Sequence, residues 1–364
     1  MSKRTATDAF AVIQKRQKVS TVQSVPGRST TGTSSTSTTT SEQDKSNAQG
    51  NSKSNITRIL SWNVETPVPF LDLPKSKTGP SSFPPRPNHL RTLLKRHDFP
   101  DFVCLQEIRA RYSDTSWITA LTSAMNSSAT LSASRDTGPK YQVAYSSLNR
   151  ASTRGQRHFG VITYVKTSLP NTIVSAREVD WDIEGRVVIL EMKAGWALVN
   201  VYALNGSDYT WKDPQHPDSG RQVTRHERKR EFNRLLMQEC KEMQKRRLKI
   251  VLVGDFNISL TKADCYPRLR MAFPHAKARK EFNEEFMPGL DLVDAYRELH
   301  GDRKGFSWFA KGKPQGQDCA RVDYALVEKS LRERVEAMEY LDEPGERAHS
   351  DHAPWILDLK DMDS

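Results

Sequence analysis

From Ile56 onward the chain is written in short apolar runs that stop on a carboxylate, an amide or a histidine, and this pattern constrains the fold more than any other feature. A run of about four to eight apolar residues with no polar face reads as a strand covered on both sides. Ile59-Leu60-Ser61-Trp62-Asn63 is the first, and Phe102-Val103-Cys104-Leu105-Gln106-Glu107 the next. Further strands are predicted at Gly160–Tyr164, Arg186–Glu191, Ala197–Tyr202, Ile250–Val253, Phe306–Phe309 and Asp323–Val327. A helix is predicted from about His89 to Arg96. A second is predicted between 228 and 243, where Phe232, Leu236, Glu239 and Met243 recur near helical spacing. Strands outnumber helices, and neither a Gly-rich β-α-β turn nor an internal repeat is present. The expected fold class is α/β (α+β): a four-layer, two-sheet β-sandwich flanked by helices rather than a Rossmann sheet.

Hydrophobic residues make up 36% of the 364, low for a compact globule, so a disordered part is expected. Residues 1–55 carry it: from Ser29 to Ser41 every residue is Ser or Thr except Gly32, which cannot bury enough apolar surface to offset ordering entropy. The folded domain is then 56–364. Ahead of the Ser/Thr stretch, Lys3-Arg4 is followed by Lys15-Arg16-Gln17-Lys18, the spacing of a bipartite nuclear localisation signal. An amphipathic basic helix around Phe10, Val12 and Ile13 is the alternative reading, and a mitochondrial presequence is disfavoured by Asp8. Nuclear localisation and an import receptor as partner of the tail are the expectation.

The net charge of +11 suits a polyanionic partner, nucleic acid before membrane. Cys104, Cys240, Cys265 and Cys319 form no C-x-x-C pair, which speaks against a zinc site and fits a reducing compartment. No apolar run approaches the roughly 20 residues that span a bilayer. A monomer without membrane contact is expected.

The polar stops carry the chemistry. In order they are Asn63 and Glu65, Glu107, Tyr202 and Asn205, Asp255 and Asn257, Asp323, and Ser350-Asp351-His352. Singly each has a plain explanation, since Asp and Asn after a strand usually form turns. The ordered set Trp-Asn-Val-Glu, Leu-Gln-Glu, Gly-Asp-Phe-Asn, Arg-Val-Asp-Tyr and Ser-Asp-His does not. It resembles the endonuclease/exonuclease/phosphatase superfamily over about 56–361, and within it the exonuclease III/apurinic endonuclease branch. Gly254-Asp255-Phe256-Asn257 and Ser350-Asp351-His352 are its most specific pieces. Glu184-Gly185-Arg186-Val187, Tyr202-Ala203-Leu204-Asn205 and Phe306-Ser307-Trp308 lean toward the repair branch.

The resemblance implies a deoxyribonuclease-I-like sandwich that hydrolyses DNA phosphodiesters with Mg²⁺, or with Mn²⁺, in base excision repair. It implies that Glu107, with Glu65 and Asp351 nearby, holds the metal, and that Asp323 orients His352. Asp255 and His352 both remain candidates for the base that acts on the attacking water. Asn63, Asn205, Asn257 and Tyr202 would donate to the phosphate, and Trp308 would wall the sugar pocket. RNA or a phospholipid or inositol phosphate head group are alternative substrates on the same fold, and a non-catalytic nucleic-acid-binding relative is a third reading.

The sequence departs from that branch in several places. Glu65 stands where the branch has Asp. A Pro-rich loop running to Pro87 follows it, and Asp208 stands where animal enzymes insert an Arg. Ala320 replaces the second pocket Trp. Arg154, Arg157, Arg221, Arg225, Arg228, Lys229 and Arg230 either track a phosphate backbone or, for the 225–230 run, form a solvated helix face.

Overall fold

Alternate residues of a strand point to opposite faces of its sheet, and here both faces of the central strands find cover. In the computed structural model, residues 55–72, 83–110, 112–127, 136–150, 159–213 and 222–363 are described. The tail signal, Arg154, Arg157, Arg221 and most of the Pro-rich loop lie outside them.

The first sheet uses β1 (Ile56–Asn63), β2 (Phe102–Gln106), β3 (Tyr141–Leu148) and β4 (Gly160–Lys166), with β16 (Val335–Tyr340) and β17 (Trp355–Lys360) from the C-terminal end. Its order is β16-β17-β1-β2-β4-β3. The second uses β5 (Ile173–Arg177), β6 (Val187–Met192), β7 (Trp196–Tyr202), β10 (Lys249–Asp255), β12 (Leu292–Asp294) and β15 (Asp323–Glu328), in the order β12-β15-β10-β7-β6-β5. At the centre of each sheet lies one parallel pair, β1 with β2 and β7 with β10; the remaining pairs are antiparallel. Two small ribbons complete the strands: β8 (Thr210–Trp211) with β9 (Val223–Thr224), and β11 (Cys265–Tyr266), β14 (Cys319–Ala320) and β13 (Trp308–Phe309).

Side-chain alternation shows the layering directly. Ile59, Phe102, Cys104, Val251 and Val253 pack between the sheets. Leu60, Trp62, Val103 and Leu105 face α1 (His89–Arg96) and α2 (Thr115–Asn126). Ile250 and Leu252 face α3 (Arg225–Lys245) and α4 (Phe273–Glu281). The protein is therefore a two-sheet sandwich with a helical layer on each outer face. Fully burying one such large apolar side chain contributes about 1.5–3 kcal/mol, so the three clusters define the layers firmly.

α3 begins at a capping box, with Thr224 accepting from the Glu227 amide and Glu227 reaching back to the Thr224 amide. Its buried stripe is Phe232, Leu236, Cys240 and Met243. Glu239, expected on that stripe, instead pairs with Arg177. Two other differences from the sequence reading stand out. Only Trp308–Phe309 of the expected 306–309 strand is paired, and β3, β5, β12, β16, β17, α2 and α4 have no counterpart among the expected elements.

Near the ends of the strands a buried polar chain ties the sheets together. Gln106 Nε2 donates to Ser61 Oγ at 2.9 Å and across the interface to Asn200 Oδ1 at 2.8 Å, and Asn200 Nδ2 donates to Thr163 Oγ1 at 3.1 Å. These buried bonds favour one register between the layers, with Gln106 Oε1 left without a partner among the described residues.

Candidate active site

The sheet registers gather the polar stops at one edge of the sandwich. Asn63 pairs with Gln106 at the ends of β1 and β2. Asp255, the last residue of β10, lies opposite both Tyr202 and Asp323. Gly254 makes this close packing possible. A Cβ there would stand 2.1 Å from the Val201 carbonyl oxygen, and its φ of 127° is one that other residues rarely adopt. His352 arrives from the segment before β17 and bridges Trp308. Trp62 Nε1 holds its carbonyl at 3.0 Å, and its amide donates to Ser350 Oγ at 3.0 Å.

The floor of the site is a buried cluster. Asp323 Oδ2 sits 2.8 Å from His352 Nδ1, leaving Nε2 turned toward Asp255 Oδ2 at 3.9 Å. The same Asp255 oxygen accepts from Asn63 Nδ2 and from Asn257 Nδ2, each at 3.0 Å, while Oδ1 takes the Asn257 amide at 2.7 Å. Asp323 is held in turn through Ser307, whose Oγ accepts its backbone amide at 3.0 Å. Burial, then the charge of Asp323, push the Asp255 carboxyl up to about 7 against the pull of His352. Burial opposes a charged His352, but Asp323 and Asp255 outweigh it and hold the imidazole well above its usual range.

Above this floor opens a cavity of about 830 Å³. Asn63, Glu65, Glu107, Tyr202, Asn205, Asp255, Asn257, Trp308, Asp351 and His352 all line it, while Asp323 lies behind His352. Every site residue read from the sequence thus belongs to one place. Glu65, Glu107 and Asn257 occupy the left-handed region with φ of 59°, 58° and 52°, a conformation that L-residues adopt at a cost of about 1–2 kcal/mol. Backbone held this way at several site positions is a mark of function.

The three expected metal ligands share the cavity wall, yet each has its own partner. Glu107 pairs with Arg109 at 2.7 Å, Glu65 with Lys311, and Asp351 Oδ2 accepts from Trp308 Nε1 at 3.0 Å. Burial raises the Glu65 carboxyl, Lys311 opposes that, and the charge of Asp351 adds to it. A hard divalent cation takes oxygen ligands and keeps several waters. Glu65, Glu107 and Asp351 offer such oxygens on an open wall. Lys311 and Arg109 already place positive charge against Glu65 and Glu107, and the all-oxygen chemistry of this donor set suits a hard divalent cation, although its carboxylates do not all come within 4.8 Å of one another. Asp255, Asp323 and His352 form the one group among the described residues whose ligand atoms lie within 4.8 Å of one another. That group fits less well: Asp323 is committed to His352 Nδ1, Asp255 to three donors, and all three residues are buried.

The basic 225–230 run is not a solvated face. Lys229 and Arg228 are buried; Arg228 lies over the Trp211 ring at 4.6 Å, and Arg230 pairs with Glu281. Lys229 donates to the Asn257 carbonyl at 2.5 Å and lines the cavity with Arg225. Burial pushes Lys229 down to about 7, with Asp255 pulling the other way. Its place was legible: Lys229 is three residues before Phe232 and seven before Leu236, on the buried stripe of α3. Arg109, Arg186 and Lys311 were also missed. Arg186 is sandwiched by geometry that sequence spacing does not show, 3.9 Å from the Phe159 ring centroid and 5.1 Å from that of Tyr202. Asp208, expected near the substrate, has a side chain 92% exposed and does not line the cavity.

Several known proteins share this architecture. A 3′ phosphatase from Neisseria, solved with its product DNA hairpin, is 19% identical at a TM-score of 0.53, over 83% of this chain and 99% of that one. An AP endonuclease from Archaeoglobus fulgidus is 16% identical at 0.54, over 84% and 99%. The AP endonuclease LMAP from Leishmania major is 18% identical at 0.56, over 84% and 88%. At these identities the likeness is one of fold. No curated protein matches the sequence. The model of the Endonuclease/Exonuclease/phosphatase family matches residues 60–352, a span that contains every site residue from Asn63 to His352. The chain belongs to the endonuclease/exonuclease/phosphatase family.

Proposed function

We propose that the protein is a divalent-metal-dependent phosphodiesterase that cleaves the DNA backbone in repair, as an apurinic/apyrimidinic endonuclease or a 3′-phosphodiesterase/exonuclease. One observation carries this reading: the His352–Asp323 pair faces Asp255 across 3.9 Å, with two amide side chains at the same point. Magnesium, held by Glu107 with Glu65 and Asp351, would neutralise the phosphate. Asp255, raised to about 7 by burial, has the proton affinity of a base working near neutrality and takes the proton of the attacking water. His352, kept protonated by its two carboxylates, donates from Nε2 to a phosphate oxygen. Asp323 fixes the ring so that Nδ1 points inward. Asn63 and Asn257 turn their Nδ2 groups from Asp255 to the phosphate as charge develops there.

Trp308 forms one wall of the sugar pocket, and β-pairing sets Ala320 directly opposite it. The neighbouring ribbon adds Cys265, and the segment after it adds Leu269, to the same cavity. The pocket is therefore open beside Trp308, and the protein discriminates an abasic site from intact or 3′-modified DNA less sharply than a dedicated apurinic endonuclease.

The test is a Mg²⁺ titration on abasic, 3′-blocked and intact DNA and on RNA. Metal-dependent DNA cleavage is expected. Full cleavage in EDTA would sink the mechanism, and robust RNA hydrolysis without DNA cleavage would move the protein to another substrate. For the tail, we propose nuclear import through the two basic clusters. Deleting residues 1–55 from a fusion too large for passive entry should remove it from the nucleus with turnover nearly unchanged; an unchanged distribution would refute the signal.

A further inference from the structure

The cavity has a second wall, and it is lined by cations. Lys229, Arg268, Arg270 and Arg279 line it, and none of the four has a carboxylate within ion-pair distance among the described residues. Lys229 and Arg279 donate only to backbone carbonyls, of Asn257, Ser259 and Arg270. Arg268 and Arg270 are exposed, and their guanidinium groups make no hydrogen bond to a described residue. Just outside the cavity the same helices pair their cations: Arg228 with Glu231, Arg230 with Glu281, Lys280 with Glu284. The four cations on this wall repel one another: Arg270 and Arg279 both disfavour the protonated form of the already buried Lys229, against the pull of Asp255. An anion at that wall would relieve the repulsion.

The mouth of this wall carries exposed aromatic rings. Tyr209 is 80% and Tyr266 45% exposed, and both line the cavity. His226, 6% exposed and lining the same wall, leaves its buried Nδ1 without a partner among the described residues. Its ring lies edge-on to His275, with centroids 4.6 Å apart. Phosphate-binding cations set beside rings open for stacking suit a strand whose bases are free. In a duplex the base faces are already occupied by their neighbours, so the tyrosines would meet only edges and sugar.

We infer that this cationic wall and the tyrosines at its mouth form a groove for an unpaired stretch of polynucleotide strand flanking the scissile phosphate. Successive phosphates lie along Lys229, Arg268, Arg270 and Arg279, and bases stack on Tyr266 and Tyr209. The inference deepens the proposed hydrolase function, and it rests on that reading only for where the bond is cut.

The test measures binding rather than turnover. The full chain in EDTA is titrated against a fluorescent unpaired oligonucleotide, the blunt duplex of the same sequence, and a duplex with an unpaired flank, over a series of salt concentrations. The unpaired strand and the flanked duplex should bind about tenfold tighter than the blunt duplex. Each phosphate contact on a single strand contributes a slope of about 0.7 in log affinity against log salt, so replacing both Arg268 and Arg270 with Ala should reduce the slope by about 1.4. Both side chains are exposed and unpaired, so this variant keeps its fold. Tyr266→Ala should lose about fivefold or more in affinity for the unpaired strand, as stacked bases do when their aromatic partner is removed. Equal or tighter binding of the blunt duplex, or an unchanged salt slope in the arginine variant, overturns the groove. Tight unpaired-strand binding without cleavage of any oligonucleotide in Mg²⁺ would defeat the hydrolase reading and leave the groove standing.

Discussion

The floor of the cavity and the arm that carries its basic wall solve different problems with similar residues. On the floor, Asp255 and Asp323 at strand ends and His352 just before β17 are buried, and all of their side-chain polar atoms except Asp323 Oδ1 face one another or Asn63 and Asn257. In the arm from Cys265 to Arg279, Arg268 and Arg270 are exposed with guanidinium groups that make no hydrogen bond to a described residue, while Arg279 donates to the Ser259 and Arg270 carbonyls. The arm is rooted in a buried ion cluster: Arg321 donates to Asp264 at 2.8 Å and to Asp294 at 2.6 Å, and Arg297 pairs with Asp264 as well. A group that must act on one proton is held by several bonds, whereas groups that grip a flexible polyanion are anchored only at their base. Geometric precision belongs to the floor and adaptability to the arm.

The sharpest way to break the contrast is at the floor. His352→Ala or Asp255→Ala should lower turnover by about 10²–10⁴-fold, the usual contribution of a general acid or base, while oligonucleotide affinity changes little. Single-turnover rates beside equilibrium binding separate the two. Near wild-type turnover in either variant would remove that residue from the mechanism.

Next in size is the root of the arm. Asp264→Ala leaves the buried Arg321 short of one carboxylate and should cost about 3–5 kcal/mol in denaturant unfolding. Burial alone would raise the Asp264 carboxyl, but Arg321 and Arg297 overcome it and hold it below its ordinary value. The stabilisation from Asp264 is therefore complete above the unfolded pKa, near 4, and fades as pH falls through the lower folded value. Wild type and variant should differ by a constant amount between neutral pH and about 5 and converge below about 4. A gap that widened in acid would contradict the assignment.

A smaller effect is expected on the metal wall. Glu107→Gln removes one ligand charge and should raise the Mg²⁺ concentration for half-maximal activity about tenfold, a size seen when groups around a metal are altered. Circular dichroism should show the fold unchanged. An unaltered Mg²⁺ requirement would place the cation elsewhere. Smallest is Ala320→Trp, which narrows the pocket opposite Trp308 and should raise the ratio of abasic to intact DNA cleavage a few-fold, limited by overpacking of about 1–3 kcal/mol. A strong abasic preference in wild type, indifferent to this change, would mean another residue closes the pocket.

The two regions also differ in how legible they were. The central strands are buried on both faces, which turns their sequences into continuous apolar runs, and the residues that end the runs are those of the floor. Edge strands give no such signal. β3 and β16 mix buried and exposed positions in irregular order; β17, an inner strand, is interrupted instead by Asp358, which pairs with Arg58 of the neighbouring strand. The arm was illegible for another reason. Whether an arginine faces water, a glutamate or a cavity is settled by distant packing, so Arg268, Arg270 and Arg279 look in sequence like any surface cations. Lys229, on the same wall but outside the arm, is readable from its place on the α3 stripe.

The left-handed backbone at Glu65, Glu107 and Asn257 has a consequence for anyone selecting heat-resistant variants of this protein. Glycine enters that conformation without steric penalty, so each of the three positions offers about 1 kcal/mol of relief to a random search. Such a search would collect these substitutions early, because they raise survival on heating while deleting a carboxylate or an amide from the cavity wall. Thermostability and turnover would then diverge in the same clones, as they do where function maintains an unfavourable local geometry. A screen on heat resistance alone would select against the enzyme, and the three codons are best held constant while the rest of the chain is varied.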